Sequence, residues 1–148
     1  MKNYRILLLS VFVLVFAGCT NSQVTETPGT SPNTTTEPVK QTIKTDLTAA
    51  EFDAKIKGDP TAPLIDVRTP DEFSQGHLPN AVNIDWNGNN FNTQIAALDK
   101  TKPVYVYCLS GARSGSAADK MRTDGFTEVY ELSGGIKQWK AENRPVTQ

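Results

Sequence analysis

The sequence predicts an α/β fold with a mainly parallel central sheet flanked by helices on both faces. Three observations point to it. Short runs rich in β-branched and aromatic residues alternate with helical segments from residue 46 onward. The strongest of these runs, Pro103-Val-Tyr-Val-Tyr107, shows no alternation with charged residues, as expected of a strand covered on both faces. Thr-led capping signals stand at the head of helical stretches and so separate the two kinds of element. A chain of 148 residues suits one domain of this class, since domains run to roughly 100–200 residues.

The elements follow in order. Thr48-Ala-Ala-Glu51 has the form of a capping box, Phe52 and Ile56 follow at helical spacing, and Gly58 ends that helix. Residues 62–67 are a short apolar run, read as a buried strand. Thr69, Pro70, Asp71 and Glu72 supply an N-cap, a proline suited to the first helical position and two acids for the first turn. The short helix they open is expected to end at Gly76. Residues 81–85 read as a strand, and after the Asn- and Gly-rich loop 87–90 the spacing of Phe91, Ile95 and Leu98 predicts another helix. The strand 103–107 then runs into Cys108-Leu-Ser-Gly-Ala-Arg113 and a helix of small residues reaching about Arg122, ended near Gly125. Residues 128–132 are the last strand, and Gly134-Gly135 opens a helix whose Trp139 belongs to the core.

The chain ahead of this domain reads differently. Lys2 and Arg5 precede an apolar run from Ile6 to Gly18 that only Ser10 interrupts. At about 13 residues the run matches a signal-peptide core and falls short of the roughly 20 that a membrane-spanning helix needs. Phe16-Ala17-Gly18-Cys19 resembles the bacterial lipoprotein signal. That resemblance implies a signal peptide over residues 1–18, lipidation (palmitate) of Cys19, and an extracytoplasmic, membrane-anchored protein of the cell envelope. Residues 20–45 are mainly Thr, Ser, Pro, Asn and Gln, a composition that cannot bury enough surface to offset the entropy of ordering. A disordered tether is expected over 19–45, holding a domain of residues 46–148; the alternative is an extra edge element packed on that domain.

Composition excludes some functions. With 15 basic against 16 acidic residues and a net charge of −1, no excess positive charge exists to neutralise phosphates, so nucleic acid is not an expected partner. No His/Cys cluster has metal-ligand spacing, and neither metal nor cofactor is expected.

The chemistry concentrates where the best strand becomes a helix. In open α/β sheets, ligands bind beyond the carboxyl ends of the strands, and a helix N-terminus offers free N–H groups with partial positive charge. Cys108 stands at that junction. Ser110, Gly111 and Ala112 are small enough for the loop to curl inward and aim several amides at one point, and Arg113 adds a permanent cation with forked donors. Dipoles so arranged favour thiolate over thiol. A cysteine after a buried strand is ordinarily an inert small hydrophobe; Gly and Arg at these spacings argue for a reactive one.

Four ordered blocks carry a resemblance. Cys108-Leu-Ser-Gly-Ala-Arg-Ser114 has the form C-x-x-G-x-R-S. Leu64-Ile-Asp-Val-Arg68 with Glu72-Phe73, Gly76-His-Leu-Pro-Asn-Ala-Val-Asn-Ile84, and Gly134-Gly-Ile136 with Trp139 and Pro145-Val146 complete the set. Over about residues 48–146 the chain resembles the single-domain rhodanese-like sulfurtransferases. Asn80 and Asn143 stand where Gly is common in that family, and Asn best replaces Gly in a left-handed turn.

The resemblance implies a three-layer rhodanese-like fold and a persulfide mechanism. Cys108 would take sulfane sulfur from a small anionic donor such as thiosulfate and pass it to cyanide or a thiol, with Arg113 balancing the donor's charge. Leu109, Ser110, Gly111, Ala112 and Ser114 would bind substrate, while Asp66, Arg68 and Glu72 would support the loop, Arg68 pairing with Glu72. Cys108 to Arg113 spans six residues, the length this family associates with sulfur transfer; its phosphatase and arsenate-reductase relatives carry one more. The rival to an enzyme is a persulfide carrier or binding module, without turnover of its own, serving a partner protein at the membrane. With Cys19 lipidated, Cys108 would be the only free thiol, which weighs against a dithiol oxidoreductase. A monomer is expected. His77, the only histidine, reads as structural, and Trp86 with the loop to Asn90 as either packing or pocket rim.

Overall fold

The computed structural model describes residues 42–148. The expected signal peptide, Cys19 and most of the expected tether lie outside the described residues. Within them the order is β1 (Ile43–Leu47), α1 (Ala49–Gly58), β2 (Leu64–Asp66), α2 (Pro70–Ser74), β3 (Val82–Asn83), α3 (Phe91–Ala96), β4 (Pro103–Tyr107), α4 (Ala112–Thr123), β5 (Glu128–Leu132) and α5 (Gly135–Ala141). The five strands form one sheet in the order β1-β5-β4-β2-β3. Every ladder is parallel, with Val104 opposite Val129 and Ile65 opposite Val106. All five carboxyl ends therefore lie along one edge.

Alternation along β4 divides the core into two layers. Val104, Val106 and Cys108 join a cluster with Phe91 and Ile95 of α3 and Ala117, Ala118 and Met121 of α4. Tyr105 and Tyr107 face the other way, onto Phe52 of α1 and Ile136 and Trp139 of α5. There Phe52 meets Tyr105 and Trp139 edge-on, at centroid distances of 5.6 and 6.4 Å. The expected three layers are thus α3 and α4, the sheet, and α1 and α5. Both capping boxes form, Thr48 with Glu51 and Thr69 with Glu72, and Pro70 occupies the first turn of α2. Asn80 and Asn143 take φ values of 67° and 54°, the left-handed turns that a glycine would otherwise fill.

Several boundaries differ from expectation. β2 and β3 are shorter than the runs 62–67 and 81–85, and α3 stops before Leu98. More consequential is β1. Residues 43–45, expected as the end of the tether, pair in parallel with β5, with Ile43 opposite Glu128 and Leu47 opposite Leu132. For these residues the alternative of an edge element packed on the domain holds, which the polar centre of the strand makes the less favoured reading of the sequence. An edge strand is held mainly by its backbone ladder, here extended by the Ile43 amide donating to the Thr127 carbonyl and the Ser133 amide to that of Leu47. Its apolar contribution is confined to Leu47, 6% exposed, and Lys44 ties it to Asp119 of α4 at 3.2 Å.

Removing β1 should therefore unfold more than a tail. A chain starting at Thr48 is expected to be less stable than one starting at Thr42 by about 2 kcal/mol or more, the order of one buried leucine plus its ladder. Equal urea midpoints would show that β1 adds nothing.

Candidate active site

β4 ends at Tyr107, so Cys108 emerges at the carboxyl edge of the sheet, and α4 begins four residues later. What shapes the loop between them is the opposite wall. The amides of Ile136 and Lys137, in the first turn of α5, donate to the carbonyls of Cys108 and Leu109 at 2.9 and 3.1 Å. With two successive carbonyls turned toward α5, the following amides turn toward the cysteine sulfur. Gly135 makes this approach possible. A Cβ there would lie 2.5 Å from the Cys108 carbonyl oxygen, and its φ of +58° further disfavours a side chain. Gly111, at φ 106°, closes the loop into α4.

The sulfur sits inside this turn. The Gly111 amide donates to Cys108 Sγ at 3.1 Å and the Ser114 hydroxyl lies 3.4 Å from it. Cys108 is 1% exposed. Burial works against ionising the thiol, but it is outweighed by the Ser114 hydroxyl and by the amides of Ser114, Ser110 and Gly111, so the thiol lies below its ordinary range. The arrangement favours the nucleophilic thiolate over the thiol.

Arg113 and Glu72 are joined differently from the expectation. Arg113 makes a bidentate pair with Glu72, two N–H···O bonds of 2.7 Å each. Glu72 at the same time accepts from the Thr69 amide and hydroxyl in the α2 capping box. The Arg113 pair, against the opposing effect of burial and with help from Thr69, draws the Glu72 carboxyl down from 4.5 to about 2. Arg68 does not reach Glu72. Its guanidinium is committed to Asp66, with Nη2 to Oδ2 at 2.6 Å, and to the Gly76 carbonyl at 2.8 Å, in a buried pair where the short side-chain separation of i and i+2 wins. Asp66 and Arg68 thereby fix the turn that carries α2, and Glu72 passes that position on to α4.

The remaining expected residues are placed as follows. Ala112 opens α4, and Ser114 is fully buried beneath the loop. Leu109 is 40% exposed at the rim. Beside it lies a recess of about 390 Å³ lined by Arg68, Glu72, Gln75, Leu109, Ile136, Lys137 and Lys140. Lys137 and Lys140 enter none of the ion pairs found among the described residues. His77 stacks on Phe73 at 3.7 Å, in the structural role expected. Trp86 packs edge-on against Phe91 and does not line the recess. One residue went unnoticed in the sequence: Glu131 of β5, 4% exposed and hydrogen-bonded to the Ser114 hydroxyl. Its signal was a carboxylate two residues after Val129, and so on the same face of the last strand.

Comparisons with known proteins agree with this geometry. The family described as Rhodanese-like domain matches residues 48–142, more than half of the chain. The uncharacterized protein YqhL of Bacillus subtilis is 43% identical over 100 residues, covering 68% of this chain and 75% of that protein. Thiosulfate sulfurtransferase GlpE of Coxiella burnetii is 39% identical over 80 residues, covering 54% and 73%. Among solved structures, a rhodanese-related protein from Thermoplasma volcanium superimposes with a TM-score of 0.61 at 28% identity, covering 69% of this chain and 96% of that one.

The depressed Glu72 carboxyl makes a pH-dependent prediction. A carboxylate held below its ordinary value stabilises the fold above about pH 4.5 and loses that contribution as pH falls toward about 2. Glu72→Gln is expected to cost about 1–2 kcal/mol at neutral pH, the order of one cap and one partly exposed pair. Its stability should also decline less steeply than the wild type's between pH 4.5 and the acid limit. Parallel acid profiles for the two proteins would contradict the clamp.

Proposed function

The chain belongs to the rhodanese-like domain family, and from that membership we propose that it is a sulfurtransferase carrying sulfane sulfur on Cys108. One observation carries the reading: a buried sulfur meets the Gly111 amide at 3.1 Å and the Ser114 hydroxyl at 3.4 Å, so negative charge on it finds donors already in place. The relatives named thiosulfate sulfurtransferase support thiosulfate as the class of donor.

The reaction divides into two displacements. The Cys108 thiolate attacks the outer sulfur of thiosulfate, the donor S–S bond breaks, and sulfite leaves with the electron pair. Cys108 now holds a persulfide, whose anion occupies the same ring of amides. Cyanide or a thiolate then attacks the terminal sulfur, the persulfide bond breaks, and its electron pair returns to Cys108 as thiolate. Both displacements start from the thiolate, the form that the loop amides and the Ser114 hydroxyl favour.

Arg113 is a weaker partner for a donor anion than its charge suggests, since Glu72 occupies it from both nitrogens. Lys137 and Lys140, flanking the recess beside Leu109, are the cations free to attract a dianionic donor. The second reading, a persulfide carrier, draws its support from the rim: Cys108 is buried while the apolar Leu109 next to it is exposed, a surface suited to a protein acceptor. Rapid transfer to a protein with negligible turnover of small donors would favour it. For location, we propose that Cys19 anchors the protein to the cell envelope, on the strength of the charged, apolar and small-residue segments that precede it.

Two measurements check this reading. Thiocyanate formation from thiosulfate and cyanide is expected to vanish in Cys108→Ser, whereas the double change of Lys137 and Lys140 to Ala raises KM for thiosulfate more than Arg113→Ala does; turnover surviving in Cys108→Ser would overturn the mechanism. Cys19→Ala should release the protein from membranes, and undiminished membrane retention would contradict the lipid anchor.

A further inference from the structure

Beneath the loop lies a carboxyl group that the two displacements do not use. Glu131 extends from β5 on the α4 side of the sheet, the side to which Val129 also points. It is 4% exposed and enters no ion pair among the described residues. Its Oε1 is hydrogen-bonded to the Ser114 hydroxyl, and a Cβ on Gly111 would lie 3.6 Å from it, which places it directly under the turn. The charged groups acting on it are Asp46 and Lys44 of β1, Lys44 being paired with Asp119 of α4. Cys108 faces it across Ser114, and the Arg113 guanidinium, paired with Glu72, acts on Cys108.

Ser114 is the pivot. Its oxygen lies within reach of Cys108 Sγ at 3.4 Å, of the Gly111 carbonyl at 3.1 Å and of Glu131 Oε1, yet a hydroxyl has one proton to donate. If Glu131 is ionised, it can only accept, and the Ser114 proton points to the carboxylate and away from sulfur. When Glu131 is a carboxylic acid, its own O–H can donate to the Ser114 oxygen, and the Ser114 proton is released toward sulfur. We propose that Glu131 and Cys108 share one proton through Ser114, making Glu131 a positioning residue whose protonation decides whether the thiolate keeps the Ser114 hydroxyl as a donor. The transfer balances within the trio: Cys108 gives its S–H proton to Ser114 as Ser114 gives its O–H proton to Glu131, leaving thiolate, hydroxyl and carboxylic acid. Burial, reinforced by Asp46 and opposed by Ser114 and Lys44, holds this carboxyl above its usual range, in the direction that the sharing requires.

The inference rests on the reading of Cys108 as the nucleophile, and it is tested without sulfur transfer. Iodoacetamide alkylation is followed against pH in the Cys19→Ala chain, where Cys108 is the only thiol. Two coupled groups give two inflections in the wild-type profile. Glu131→Gln, which imitates the neutral acid, is expected to leave one inflection, with its midpoint below the wild type's upper one. Ser114→Ala removes the pivot and should also leave one inflection, but shifted up, because the thiolate loses its donor in every state. A purely structural role would move both variants in the same direction. Superimposed wild-type and Glu131→Gln profiles, or a midpoint raised in Glu131→Gln, would overturn the proposal. Infrared difference spectra guard against a variant that folds poorly: alkylating wild-type Cys108 should change a carboxylic-acid C=O band, and the absence of any such change would equally overturn it. Loss of sulfur loading with an intact two-step profile would instead count against the sulfurtransferase reading alone.

Discussion

The pair of hydrogen bonds from the first turn of α5 to the carbonyls of Cys108 and Leu109 is the constraint on which the site depends. A peptide chain cannot point successive carbonyls outward without pointing nearby amides inward, so fixing two carbonyls from one side makes the anion-binding turn on the other. The contact is close enough that Gly135 has no room for a side chain. It also requires that β4, β5 and α5 hold their relative positions, which the tyrosine, phenylalanine and tryptophan contacts on that face of the sheet provide. A core with no chemistry of its own thus sets the electrostatics of a sulfur atom.

Around that turn, charges are arranged in pairs rather than left to act on a substrate. Asp66 and Arg68 neutralise each other in a buried pair at the end of β2, and Glu72 and Arg113 join α2 to the first turn of α4. A buried unpaired charge would be costly, and pairing converts each into a positional restraint. Cys108 is then held chiefly by the amides and the Ser114 hydroxyl, with the Arg113 guanidinium, already shared with Glu72, as the one cation acting on it among the described residues. At the rim, Lys137 and Lys140 line the recess and enter none of the ion pairs found among the described residues.

Much of this was legible in the residues. Two capping boxes, the apolar run of β4, the paired glycines at 134 and 135 and the turn asparagines at 80 and 143 each announced local structure that the fold contains. Cys108 was legible because strand, small residues and Arg113 fall in one short stretch. What could not be read were relations between distant stretches. Arg113 and Glu72 are 41 positions apart and Ser114 and Glu131 are 17 apart, so their pairing is decided by how α4 lies on the sheet. Arg68, by contrast, was drawn to the nearer Asp66. β1 could be read only as the alternative to a tether, because Lys44, Thr45 and Asp46 carry no strand pattern and gain their place from backbone hydrogen bonds to β5.

The central claim is covalent, that Cys108 itself bears the transferred sulfur. Intact-mass spectrometry of the Cys19→Ala chain before and after incubation with thiosulfate tests it most directly. A gain of one sulfur mass, reversed by cyanide and absent when Cys108→Ser is added, is the predicted result. A gain that persists in Cys108→Ser, or no gain with any sulfane donor, would contradict it.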